Sequence, residues 1–175
     1  NVVDVSDKSK GLPINELTEI ARRIQPFGWH LEFLMHVNEF PDLAQLLSNF
    51  PVPVVLGHLG YLKTNLGVKD RGFQNLLSLM REERAWVKLT GPYRITSEAR
   101  VPYADTNPFA HALIAANPRQ VVWGTDWPHP NIPKPMPNDG DIADAVYDWL
   151  PTEELRQQIL VRNPEVLYDF PTFIA

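Results

Sequence analysis

The sequence predicts an α/β protein built on a parallel sheet with crossover helices. Three observations carry this. Short apolar runs of strand length alternate strictly with stretches of helical periodicity along the chain, which is the signature of repeated βα units. The runs Pro53–His58 and Gln120–Gly124 are almost wholly apolar, as befits parallel strands buried on both faces. No glycine-rich phosphate loop follows any run, which argues against a dinucleotide-binding sheet.

The elements follow in order. Val2–Val5 is β-branched and reads as a strand end, and Asp7–Gly11 as a polar loop. Leu17, Ile20, Ala21 and Ile24 recur at helical spacing behind Asn15, a suitable N-cap, and Pro26 and Gly28 stop the helix. Trp29–His36 reads as a strand and Glu39–Phe50 as a helix with Leu43, Leu46 and Leu47 on one face. Pro53–His58 is the next strand and Phe73–Arg84 the next helix. Ala85–Thr90 is a strand, Pro108–Ala116 a helix ended by Asn117-Pro118, and Gln120–Gly124 a strand. A proline-rich loop, Pro128–Asn138, leads into helices over Asp141–Leu150 and Glu153–Val161 and a last helical turn over Asn163–Phe170. This makes five strands, and with no linker in sight residues 1–175 read as a single domain.

Composition narrows the function classes. With 44% hydrophobic and 21% charged residues the chain is ordinary globular material. Its 175 residues are fewer than the roughly 250 of a complete α/β barrel. The net charge is −5 and the basic residues are scattered, so nucleic acid is not an expected partner. No run of about 20 apolar residues is present, so a membrane is not expected either. The start, Asn1–Val5, lacks the basic and apolar regions of a signal peptide. The cytoplasm is therefore the default location. Without cysteine, disulfide frameworks, thiolate zinc sites and cysteine nucleophiles are excluded. The chain opens without Met in a strand-like run, which reads as processing or truncation.

In parallel α/β folds the chemistry sits at the carboxyl ends of the strands. Four successive predicted strands end in a histidine or a charged residue: His36, His58, the Gly91-Pro92-Tyr93-Arg94 segment, and Asp126 followed by Trp127-Pro128-His129-Pro130. Each has a structural reading taken alone. A strand-end histidine can simply be a satisfied hydrogen-bonder, an arginine a surface ion-pair partner, and an aspartate a helix cap. Asp126, however, is followed by a stiff proline-flanked loop and not by a helix start. Four such groups at one sheet end are costly to desolvate unless used, so a convergent site is the preferred reading. His30 and His111 are read as structural, Glu32 as one half of a barrel-interior salt bridge, and Trp29, Trp86, Trp123 and Trp149 as packing residues.

At this point a family resemblance emerges. Pro51–Gly60 (PVPVVLGHLG), Val87–Arg94 (VKLTGPYR), Val122–Pro130 (VWGTDWPHP) and Asn163–Phe170 (NPEVLYDF) resemble the amidohydrolase-related hydrolases, in the branch of the 2-pyrone-4,6-dicarboxylate lactonases. The similarity runs in order from about Gly11 to Phe170. It implies a (β/α)8 TIM-type barrel of which about five of the eight βα units are present. It also implies hydrolysis of a small carboxylated lactone or related cyclic ester. By position, Asp126 matches the family's water-activating aspartate, His58 a histidine near the scissile carbonyl, and Arg94 an arginine that binds a substrate carboxylate. His129, Tyr93 and His36 stand as further substrate-side residues, with His129 in support of Asp126.

The chain also departs from the family pattern. The His-x-His pair of the family's first strand is absent, as is an arginine in Asn1–Val5, and Tyr61-Leu62-Lys63 stands where Arg-Pro is common. About three βα units precede Asn1 in the family, so a homo-oligomer or a second chain completing the barrel is an expected partner. The lactonase branch works without metal, and no metal site is expected here. Two alternatives stay open. One is a metal-dependent decarboxylase of the same superfamily, for which zinc would be the cofactor. The other is a catalytically inactive truncated barrel that serves as a binding or scaffold protein.

Overall fold

The fold was obtained as a computed structural model, which describes residues 12, 14–132 and 134–171. The strand predicted at Val2–Val5 and the loop at Asp7–Gly11 lie outside the described residues. Four strands form one parallel sheet in chain order: β1 (Leu31–Phe33), β2 (Val54–Leu56), β3 (Trp86–Leu89) and β4 (Val121–Trp123). The register pairs Leu31 with Val54, Val55 with Trp86 and Val87 with Val121. Each strand thus falls within a run predicted from the sequence.

Because side chains alternate across a strand, the sheet has two distinct faces. Leu31, Phe33, Val54, Leu56, Val87 and Leu89 join Leu17, Phe73, Leu76 and Leu113 of the helices in the main core. The intervening residues Val55, Trp86 and Val122 form a second cluster, covered by Leu167. On that second face Lys88 Nζ lies 3.0 Å from Glu32 Oε1, the interior ion pair expected for Glu32. His30, at the foot of β1, meets Tyr168 edge-on at 5.6 Å, and His111 bonds the Asp148 carbonyl. Both are structural. Trp86 and Trp149 are buried, but Trp29 is 63% exposed, against expectation. It lies beyond the Gly28 turn at the amino end of β1, its ring 5.6 Å from that of Phe27.

The helices are α1 (Ile14–Ile24), α2 (Leu43–Leu47), α3 (Arg71–Arg81), α4 (Asn107–Ala116), α5 (Asp139–Trp149), α6 (Glu153–Gln157) and α7 (Asn163–Tyr168). Asn15 therefore lies in the first turn of α1 and not ahead of it. The helix predicted over Glu39–Phe50 is reduced to α2, with a 3-10 turn at Val37–Glu39 before it. Pro41 explains this, since a residue before proline is pushed out of the helical region and Phe40 sits at φ −121, ψ 80. Helix α3 begins two residues earlier than predicted, because the Asp70 carboxylate accepts from the amides of Gly72 (2.8 Å) and Phe73 (3.2 Å). Helix α5 likewise starts early, capped by Asn138 on Gly140 N. The predicted helix Glu153–Val161 turns after α6 into a π segment, Gln158–Arg162, that runs on into α7. Pro164 has no N–H to offer Leu160, and its ring would crowd that carbonyl. The Asn163 amide instead reaches Gln158 O.

Candidate active site

The carboxyl ends of the four strands deliver the site. His36 follows β1, His58 follows β2, Thr90 to Arg94 follow β3, and Asp126 and His129 follow β4. The chain turns sharply at each point. His58, Leu59, Tyr61, Asp126 and His129 all have positive φ, between 51 and 71. Left-handed backbone costs a non-glycine residue roughly 1–2 kcal/mol, and it persists only where the surroundings enforce it. Gly91, at φ +55, has a further reason to be glycine. A Cβ there would lie 2.9 Å from both Asp126 Oδ2 and His58 Nδ1.

Asp126 is the hub. Its Oδ2 accepts from Tyr93 Oη at 2.5 Å and from Arg94 Nε at 2.8 Å. Its Oδ1 accepts no hydrogen bond among the described residues and faces His58 Nε2 across 3.9 Å. One carboxylate oxygen is thus clamped, and the other looks into the gap beside the imidazole.

His58 is buried. Burial, helped by the Arg94 charge and opposed by Asp126, lowers its pKa from the usual 6.5 to about 4. The ring is therefore neutral at pH 7. Thr90 steers it, with Oγ1 at 2.9 Å and the carbonyl at 3.2 Å from Nδ1. The hydroxyl can donate or accept and the carbonyl only accepts, so Nδ1 is satisfied in either tautomer.

Arg94 is already engaged in this structure. Beside Asp126, its Nη2 donates to Pro130 O at 3.0 Å and its Nη1 makes a long 3.4 Å contact with Tyr61 Oη. Tyr93 is almost fully buried, and burial together with the Asp126 carboxylate pushes its phenol well above the ordinary value. His129 is buried as well, with Nδ1 3.1 Å from Tyr93 Oη and Nε2 3.1 Å from Asp139 Oδ1. His36 reaches the cluster only through Tyr61. Its Nδ1 bonds Tyr61 O at 3.0 Å, and the Tyr61 ring lies against both imidazoles, 4.9 Å from His36 and 5.1 Å from His58.

The fold thus brings His58, Tyr93, Arg94, Asp126 and His129 into one network and leaves His36 at its edge. Sequence reasoning missed Thr90 and Asp139, and gave no role to Gly91. Thr90 closes a strand whose next residues were singled out. Asp139 lies ten residues from His129 across a proline-rich loop and carries no local signal.

The metal question can be put to the same geometry. Among the described residues no group of three or more His, Asp or Glu side chains is arranged to hold a metal ion. His58 Nε2 and Asp126 Oδ1 make only a pair, and the Arg94 cation sits 2.8 Å from the same carboxylate. By themselves these described residues do not make a zinc centre.

A profile of the amidohydrolase family matches residues 3–170. The chain belongs to the amidohydrolase family. Among its relatives is the 2-pyrone-4,6-dicarboxylate hydrolase of Comamonas testosteroni, 38% identical over 165 residues, which are 89% of this chain and 54% of that protein. The 4-sulfomuconolactone hydrolase of Rhizobium radiobacter is 38% identical over 157 residues, 86% of this chain and 52% of the relative. The D-galactarolactone isomerase of Agrobacterium fabrum is 29% identical, over 89% of this chain and 53% of its own. The chain thus spans about half the length of the curated relatives it matches. A crystal structure from Agrobacterium tumefaciens superposes with a TM-score of 0.81 at 28% identity, covering 94% of this chain and 59% of the other. The fold is the TIM-barrel type of these amidohydrolases.

Proposed function

We propose that this protein acts in hydrolysis of a small carboxylated lactone, with Asp126 as general base. The observation that carries the reading is the split environment of Asp126. Tyr93 and Arg94 fix Oδ2, while Oδ1 faces the His58 ring across 3.9 Å. A water placed beside this pair, within hydrogen-bond reach of Oδ1, would meet what a general base requires.

The step then balances simply. The water oxygen attacks the lactone carbonyl carbon, and its proton passes to Asp126 Oδ1. The ring C–O bond breaks, and the departing oxygen takes a proton back, giving a hydroxy acid. His58 stands beside the scissile carbonyl. With Nδ1 accepting from Thr90 Oγ1, its Nε2–H donates to the developing oxyanion, and a donor placed in advance is worth most there. Arg94 is the cation next to the base. Its Nη1, which among the described residues makes the long contact to Tyr61, is the donor placed to turn to a substrate carboxylate, a geometry that guanidinium favours. The names of two relatives, both lactone hydrolases, support the reaction class.

The test is ring opening of a panel of carboxylated lactones in water enriched in ¹⁸O. Wild-type protein should place ¹⁸O in the new carboxylate, and Asp126→Asn should lower kcat by about 10²-fold to 10⁴-fold with KM little changed. A wild-type product free of ¹⁸O would reject hydrolysis in favour of isomerisation. Turnover retained by Asp126→Asn would reject the base.

A further inference from the structure

We propose that Asp139 is a positioning residue for the base, acting through an unbroken hydrogen-bonded chain Asp139–His129–Tyr93–Asp126. The inference rests on Asp126 being the base. Its members come from three separate elements: Tyr93 from the turn after β3, His129 from the loop after β4, and Asp139 from the first turn of α5.

The directions of the hydrogen bonds follow from the two ends. A carboxylate only accepts, so the single Tyr93 hydroxyl proton goes to Asp126, at 2.5 Å. The Tyr93 oxygen must then accept from its other neighbour, and His129 Nδ1–H donates to it at 3.1 Å. At the far end Asp139 again only accepts, so His129 Nε2–H donates to it at 3.1 Å. Each ring nitrogen of His129 thus faces an oxygen partner, Tyr93 Oη on one side and Asp139 Oδ1 on the other. His129 is only 3% exposed at its side chain, so water does not take the place of either partner, while Asp139 is 43% exposed and forms the outer end.

The consequence lies at Asp126. A donor on the Tyr93 oxygen keeps the hydroxyl proton turned toward Oδ2 and the carboxylate plane fixed, which leaves Oδ1 for water. Without the Asp139 carboxylate the His129 ring loses the partner that fixes its orientation. It can then accept from Tyr93, and the hydroxyl can turn away from the base. Asp139 touches neither substrate nor reacting atoms, so its effect should appear in kcat and not in KM.

A merely structural role must be told apart, because an acidic residue in the first turn also stabilises a helix. Asp141 occupies the same first turn but lies outside the chain of contacts, and Asp141→Asn is the control. Asp139→Asn should lower kcat for the lactone about tenfold with KM within twofold, Asp139→Glu should recover part of it, and Asp141→Asn should leave kcat unchanged. A second readout needs no substrate. The Tyr93 hydroxyl proton, identified by its loss in Tyr93→Phe, should move in the NMR spectrum of Asp139→Asn and stay in place in Asp141→Asn. An unmoved signal in Asp139→Asn overturns the proposal even if no lactone is turned over. A kcat equal to wild type overturns it if one is.

Discussion

Gly91 is where residue chemistry and site geometry meet most tightly. Its positive φ and the two side-chain atoms 2.9 Å from a notional Cβ leave no room for any other residue. Gly91→Ala must displace Asp126 or His58, or both. The variant should fold, because the clash falls on side-chain ends and not on the core, but should lose about 10²-fold or more in kcat/KM, given how steeply catalysis depends on placement. Wild-type activity in Gly91→Ala would show that the packed arrangement is not the working one. The residues read from the sequence as chemistry-bearing, His58, Arg94 and Asp126, are found together because each closes a parallel strand, and that rule is local enough to read. Thr90 and Asp139 escaped because they act by orienting other side chains, which no spacing encodes.

At the scale of elements, caps and close contacts set the boundaries that periodicity left open. Helix α3 starts on the Asp70 cap and packs its first turn against the Val37 turn. A Cβ on Gly72 would sit 2.2 Å from Val37 O, and backbone cannot step aside as a side-chain end can. Gly72→Ala should therefore destabilise the fold by about 1–3 kcal/mol or more, read as a lower urea midpoint at unchanged m-value. An unchanged midpoint would mean that α3 shifts freely. Prolines worked in the same direction. Pro41 shortened α2, and Pro164 turned the join between α6 and α7 into a π segment. Both were visible in the sequence, but their effect depends on which carbonyl each ring would meet.

For the whole molecule, buried His58 and half-buried Asp105 shape the acid side of the stability profile. The folded pKa of His58 is lowered to about 4 from 6.5, so between these values the unfolded chain binds a proton that the folded chain refuses. Stability should fall as pH drops from 6.5 to 4, by at most on the order of 3 kcal/mol, and then level off for this group. Asp105 acts lower. Burial pushes its carboxyl up, but donors from Thr96, Thr64 and Ser97 outweigh that and bring it from 3.8 to about 2. Its contribution is present above 3.8 and is lost as pH falls through 2. Thermal melts from pH 7 to 2 should show both steps, and Asp105→Asn should flatten only the lower one. A melting temperature constant from pH 6.5 to 4 would contradict a buried neutral His58. Asp105 also joins the loops after β2 and β3, through Thr64 on one side and Thr96 and Ser97 on the other, so the same group that limits acid stability fixes the rim of the site.

The parallel α/β layout, the strands β1 to β4, the amidohydrolase family and the placement of His58, Arg94 and Asp126 after parallel strands are all legible in the chain alone. Those features rest on periodicity and on position along a strand, which are properties of neighbours in the chain. Folding alone brings about the clamped Oδ2 and open Oδ1 of Asp126, the hold of Asp126 on Arg94, and the place of Asp139 behind His129. Such contacts join residues more than thirty positions apart, or across a loop whose path is fixed by packing. Hydrogen-bond direction and desolvation depend on distances that arise only once the chain is folded.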